Sequence, residues 1–276
     1  MLMHERRLDT MLGKLAVFDL GHGPAALLWP SLFVDHRSLL PIAEALAGSR
    51  RCILIDGPGH GRSAAPDRRY TLSECGRAAE QVMDTLGVDA VDWIGNAWGG
   101  HVGVRMAVSA PSRVRTLTVI GSPMNALPWP LRWKTRFGLA LLALGMRDVV
   151  GRMIAATMIS AASPTEHHLY VCRCIRDAPK GGIHQAVQSI SLGRPDLTPE
   201  LARIAVPTLL LTGADDVLWP PAVAERHAAE IPDARFETVP SAAHLAPLEQ
   251  PRETVELIAA FLASRSIAVD RRRAPL

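Results

Sequence analysis

The sequence predicts an α/β protein: a mostly parallel sheet flanked by helices, with a helical segment inserted between its later strands. Three observations lead there. Short apolar runs alternate with stretches of helical spacing from Lys14 to Ile120. Several of those runs are apolar on both faces, as strands covered by helices on either side require. The strand rhythm then stops between Ser122 and Arg203 and resumes at Pro207. A chain of 276 residues accommodates one such domain with an insertion.

In order, Lys14–Leu20 alternates and reads as a strand, and after the turn at Gly21-His22-Gly23-Pro24 a second strand covers Ala25–Trp29. Pro30-Ser31-Leu32 leads away from it toward a helix over Ser38–Leu46, stopped by Gly48. Arg51–Asp56 is a buried strand ending in the glycine-rich turn Gly57-Pro58-Gly59-His60-Gly61-Arg62-Ser63. Thr71 and Glu74 form a capping-box pattern for a helix to Leu86, with Gly87 as its stop. Val91–Ile94 and Thr116–Ile120 are strands, with a helix beginning near His101 between them. The segment from Ser122 to Arg203 holds four helical runs and no strand pattern, and it is too long for a loop. Strands at Pro207–Thr212 and Ala234–Val239 frame a helix over Pro221–Glu230, and Pro251 opens a final helix to Phe261. The expected division is therefore residues 1–121 and 204–276 as the α/β core and 122–203 as a helical cap.

Composition narrows the function classes. Hydrophobic residues make up 48% and charged residues 21%, and the net charge is only +3. The arginines are scattered, apart from Arg271, Arg272 and Arg273, which read as a solvated end. No basic stripe with interleaved aromatics exists, so nucleic acid is not an expected partner. The N-terminus has no apolar signal core, and the longest apolar run, Phe137–Met146, is too short to span a bilayer. Cys52, Cys75, Cys172 and Cys174 include no C-x-x-C pair and read as reduced thiols. A cytoplasmic protein with no membrane partner is expected, and a homodimer is compatible with the composition.

The stretch that carries chemistry is Gly95-Asn96-Ala97-Trp98-Gly99-Gly100, between a strand and a helix. Gly95 and Gly99 let strand and helix approach where a side chain would clash. The layout is that of a G-x-S-x-G nucleophile elbow, with alanine at the serine position. Ala97, Asp216 and His244 all fall at the C-terminal ends of expected strands, where parallel sheets gather ligands and catalytic groups.

On these residues the chain resembles the α/β-hydrolase family. The elbow, the turn Asp56-Gly57-Pro58-Gly59-His60-Gly61-Arg62-Ser63, Gly213-Ala214-Asp215-Asp216 and Ala243-His244 carry the resemblance, in the family's order of nucleophile, acid and histidine. It implies that His244 is the base and Asp216 the acid that fixes its tautomer, with Asp215 as the neighbouring rival. It also implies an oxyanion hole built from the Trp98 N–H and a second N–H after the Trp29 strand. The family usually has His-Gly there. Here Pro30 supplies no N–H, so the donor falls to Ser31, or else Leu32.

Other candidates have ordinary roles. His60 is expected to bond its own loop, and His101 to sit on a helix surface. His22, His36, His167, His168 and His184 lack ligand spacing, so no metal is expected. No cofactor is expected either, since neither a dinucleotide fingerprint nor a Walker sequence occurs. One of Trp129 and Trp133 in the cap is expected to contact substrate, and Trp98 to lie beside the site.

An alanine methyl cannot attack a carbonyl. Three readings of Ala97 follow: an inactivated Ser→Ala variant, which an unspoilt elbow fits best; a natural enzyme using His244 and Asp216 without a covalent step, as a lyase, cyclase or carbon–carbon bond hydrolase; or a ligand-binding receptor. The resemblance implies hydrolysis of an ester, lactone or similar acyl bond. The apolar cap implies a hydrophobic small-molecule substrate.

Overall fold

The computed structural model describes the backbone of residues 2–273 and the side chains of residues 2–265. The arginine side chains at 271–273 therefore lie outside the described residues. The core is an eight-stranded sheet. Its strands are β1 (His4–Thr10), β2 (Gly13–Gly21), β3 (Ala25–Trp29), β4 (Arg51–Ile55), β5 (Val91–Asn96), β6 (Val114–Ile120), β7 (Thr208–Gly213) and β8 (Ala234–Val239). Their order across the sheet is β1-β2-β4-β3-β5-β6-β7-β8. β2 runs antiparallel to both β1 and β4, and every other pairing is parallel.

β1 is the strand the sequence pattern does not reveal. Its residues, His4-Glu5-Arg6-Arg7-Leu8-Asp9-Thr10, are almost all exposed, so no apolar alternation marks it. A charged edge strand of this kind also discourages pairing with another chain.

Helices cover both faces. They are α1 (Leu40–Leu46), α2 (Leu72–Thr85), α3 (Trp98–Ser109), then α4 (Trp129–Ala143), α5 (Arg147–Met158), α6 (Thr165–Asp177), α7 (Gly182–Ala186) and α8 (Thr198–Leu201), and finally α9 (Pro221–Ala229), α10 (Ala246–Glu249) and α11 (Pro251–Arg273). α2 and α3 pack on one face around Trp29, Trp93 and Val119. α1 and α11 pack on the other around Leu28, Leu54 and Ile94. The capping box on α2 forms as the sequence predicts, with Thr71 and Glu74 each accepting from the other's backbone N–H. α11 continues beyond Phe261 because neither glycine nor proline interrupts residues 262–273.

Between β6 and β7 the described chain holds α4–α8 and no strand. α5 and α6 pack through Met158, Val171 and Ile175 onto Val34 and Leu245 from the loops after β3 and β8. Phe33 packs against both the sheet core and these inserted helices, and it adopts a left-handed φ of 70° to do so. That conformation is uncommon for a bulky residue, and burial on several sides holds it there.

The elbow depends on two glycines. A Cβ on Gly99 would lie 1.9 Å from the Trp29 carbonyl oxygen, and one on Gly95 would lie 2.2 Å from the Gly99 backbone. Both neighbours are backbone and cannot swing aside. Gly99→Ala is therefore expected to lower unfolding stability by about 3 kcal/mol or more, read by urea unfolding, whereas Gly138→Ala, with open space at its Cβ, should not.

Candidate active site

β3, β5, β6 and β7 end side by side, since Trp29 pairs with Gly95, Asn96 with Ile120, and Ile120 with Leu211. The residues just past those ends form the site. Ala97 follows β5 directly and stands at φ 46° and ψ −100°. For a residue with a Cβ this is strained backbone, costing roughly 1–3 kcal/mol. Hydrogen bonds hold it. The Ala97 N–H donates to the Ile120 carbonyl at 2.7 Å, and the His101 N–H donates to the Ala97 carbonyl at 3.0 Å. Beside it, Asn96 Nδ2 donates to the carbonyls of Ile120 at 3.0 Å and His244 at 3.2 Å.

The structure brings Asp216 and His244 together as the sequence predicts. His244 Nδ1 lies 2.9 Å from Asp216 Oδ2. The other carboxylate oxygen accepts from the N–H groups of Leu218 at 2.8 Å and Trp219 at 3.0 Å. Burial by itself would raise the pKa of Asp216. The His244 interaction and these two N–H groups outweigh it and hold the carboxyl below its usual range. Beside the Asp216 carboxylate, Nδ1 carries the proton of this hydrogen bond, so in the neutral imidazole Nε2 holds the lone pair. His244 Nε2 makes no hydrogen bond among the described residues. The side chain of Asp215, the rival, is exposed and among the described residues meets only Ser160 Oγ, which donates to it at 3.5 Å.

Trp98 opens α3, so its N–H has no carbonyl one turn earlier in the helix. Ser31 and Leu32 are buried in the loop after β3, and the close approach of Gly99 to Trp29 carries that loop to the elbow. Among the described residues no backbone acceptor takes the N–H of Trp98, Ser31 or Leu32. Ser31 Oγ is likewise buried without a partner. Oxyanion holes are built from donors of this kind.

Several other expectations need correction. The Trp98 ring does not face the site. It lies in the core against Trp29, His60 and Tyr70, so only its backbone serves the elbow. Trp129 and Trp133 are not enclosed beside the elbow either. They stand exposed on α4 with their rings edge to face, because the side of that helix that packs inward is the one carrying Leu139 and Leu142. His101 is buried, not a helix-surface residue, and its Nε2 lies 2.9 Å from the Pro123 carbonyl. His60 bonds its own loop as expected, through Nδ1 to the Pro58 carbonyl. Asp35, His36 and Asp56 cluster closely enough to suggest cation ligands. Their polar atoms are already engaged, however: Asp56 by His36 and the Arg62 N–H, and Asp35 by Arg37 and Tyr170.

Glu249 is the positioning residue the sequence does not disclose. It accepts from the Ala243 N–H at 3.0 Å, next to His244, and from the Ser160 N–H and Ser163 Oγ at 2.8 Å, between α5 and α6. The His244 N–H also donates to the Met158 carbonyl at 3.1 Å. The inserted helices thus help to hold the histidine loop.

A family model described as alpha/beta hydrolase fold matches residues 28–251. A 2-hydroxy-6-oxononadienedioate/2-hydroxy-6-oxononatrienedioate hydrolase from Paraburkholderia phymatum is 28% identical, covering 92% of this chain and 89% of that protein. The 3-oxoadipate enol-lactonase 1 of Acinetobacter baylyi is 26% identical over 88% of this chain and 90% of its own length. The structure of a thermophilic esterase from Thermogutta terrifontis superposes with a TM-score of 0.87 at 22% identity, covering 96% of this chain and 99% of that one.

Buried histidines give the fold a pH dependence of definite sign. Burial, then the nearby Arg194 charge, holds His101 well below the ordinary imidazole value, and burial lowers His60 and His227 as well. The unfolded chain takes up these protons as pH falls below about 6.5, but the folded protein resists. Their contribution to stability is therefore complete above that pH and declines below it. His101→Gln should flatten the fall in unfolding free energy between about pH 6.5 and 5, by up to about 1.4 kcal/mol per pH unit. Urea unfolding across that range measures it; unchanged slopes would refute a neutral, buried His101.

Proposed function

The chain belongs to the α/β-hydrolase fold family, and on that premise we propose that its site is that of an acyl-bond hydrolase for a hydrophobic small molecule, lacking the covalent nucleophile. One observation carries the reading: the Asp216–His244 pair and the strained elbow are intact around an alanine. A site free to drift would not retain a left-handed turn on a residue with a Cβ.

In this reading the substrate carbonyl lies over Ala97, with its oxygen toward the N–H of Trp98 and that of Ser31 or Leu32. His244 Nε2 is the base, and Asp216 holds its tautomer. The inserted helices act as a cap. Val34, Met158 and Leu245 beside the histidine loop give the site an apolar flank. An ester or lactone fits these features, and the likeness to an enol-lactonase supports the lactone. No acyl-enzyme can form on the Ala97 methyl, so turnover by that route is closed.

The free His244 Nε2 also favours a second reading, in which this nitrogen takes a proton from water and the resulting hydroxide attacks the bound carbonyl directly.

Ala97→Ser is expected to raise hydrolysis of aryl esters or lactones by about four to six orders of magnitude, with an initial burst. Adding His244→Ala should remove that gain. Burst-free turnover by the unaltered chain, abolished by His244→Gln, would establish the second reading. A folded Ala97→Ser protein inert toward the whole panel would overturn the first.

A further inference from the structure

Outside the site, α4 carries apolar side chains on two sides: Leu139 and Leu142 pack into the protein, and a second apolar set faces solvent. Trp129, Trp133 and Phe137 recur at intervals of four on its outer side and are 71%, 54% and 59% exposed; Leu144, just past its end, is 75% exposed. A helix that only covers a core buries this stripe. Here Leu139 is the one fully buried side chain of α4. The stripe is flanked by cations, with Arg132 and Arg136 on one side and Lys134 on the other, and α4 contains no acidic residue. Arg136 lies over the Trp133 ring, 5.4 Å from its centroid.

A cleft of about 280 Å³ adjoins the cationic side. Arg69 from the core, Arg132 and Arg136 from α4, and Gln188, Leu192 and Gly193 line it, with no carboxylate among them. Arg132 is braced at its mouth by a 3.0 Å hydrogen bond to the Leu192 carbonyl. Three arginines thus line one cleft beside an aromatic ridge.

We propose that this face docks onto an anionic lipid surface. A phosphate headgroup sits in the Arg69–Arg132–Arg136 cleft, and Trp129, Trp133 and Phe137 enter the boundary between headgroups and acyl chains. Tryptophan and arginine share one helix face in membrane-interface helices for the same reason: an apolar body wants the acyl boundary and a cation wants the phosphate. This is contact with a membrane, not passage through it, and no helix among the described residues is long and apolar enough to cross one. Charge excludes a second copy as the natural occupant. A twofold pairing through α4 would set Arg132, Lys134 and Arg136 against their own counterparts without an acid on that helix to relieve them.

The tryptophans supply the readout. The chain has six, and Trp29, Trp93, Trp98 and Trp219 are fully buried, so a change of emission on adding vesicles reports Trp129 and Trp133. Vesicles of phosphatidylcholine with about one-third phosphatidylglycerol should shift emission to the blue and carry the protein down on sedimentation. Pure phosphatidylcholine should do neither, and raising salt from about 0.05 to 0.5 M should weaken binding. Arg132→Gln with Arg136→Gln, and separately Trp133→Ala with Phe137→Ala, should each weaken it at least tenfold while leaving the circular dichroism spectrum unchanged. Equal binding to neutral vesicles, no binding by the folded protein at low salt, or thermal stabilisation by inorganic phosphate without vesicle binding would each overturn the proposal. So would a concentration-dependent dimer abolished by Phe137→Ala.

Discussion

The left-handed backbone at Ala97 is the constraint on which the rest of the site depends. It exists because strand β5 must stop, reverse and feed helix α3 within a few residues, and Gly95 and Gly99 remove the side chains that would block the reversal. The strain is local, but what opposes it is distributed. Asn96 ties the turn to β6 and to the carbonyl of His244, more than a hundred residues away in the chain. Gly121, just past β6, is pressed between the same groups: a Cβ there would lie 2.7 Å from the His244 carbonyl oxygen and 3.5 Å from Asp216 Oδ2. Elbow, acid and histidine are thus one packed unit.

The inserted helices belong to that unit. Glu249 bonds both the inserted segment and the loop that carries His244, and Met158 offers its carbonyl to the His244 N–H. Phe33 contributes from the loop after β3, holding an unfavourable φ to fill space between sheet and helices. A movement of α5 would therefore reach the histidine through backbone hydrogen bonds. The inserted helices and the placement of His244 are thus coupled mechanically.

Much of this was legible in the sequence because its causes are local. Apolar runs bounded by glycine and proline mark β2–β8, Thr71 and Glu74 mark the start of α2, and glycines at 95 and 99 mark the elbow. Of the two neighbouring acids, Asp216 turns inward to His244 and Asp215 is exposed. The failures come from non-local causes. β1 is a strand only because β2 pairs with it. Glu249 matters only because α5 and α6 fold back onto it. The direction of a helix's apolar side depends on what it packs against, so Trp129 and Trp133 looked like lining residues and proved exposed, whereas His101 looked exposed and proved buried.

We propose that a complete acyl-transfer site surrounds position 97 and lacks only the attacking atom. Labelling of the Ala97→Ser protein with a fluorophosphonate, followed by intact and peptide mass analysis, tests it most directly. The probe requires a nucleophile activated by histidine and a phosphoryl oxygen held by the oxyanion donors, with no demand on substrate identity. The expected result is a single adduct, at position 97, that is absent from the unaltered chain and lost when His244→Ala is added. A folded Ala97→Ser protein that takes up no label, or labelling of the unaltered chain to the same extent, would contradict it.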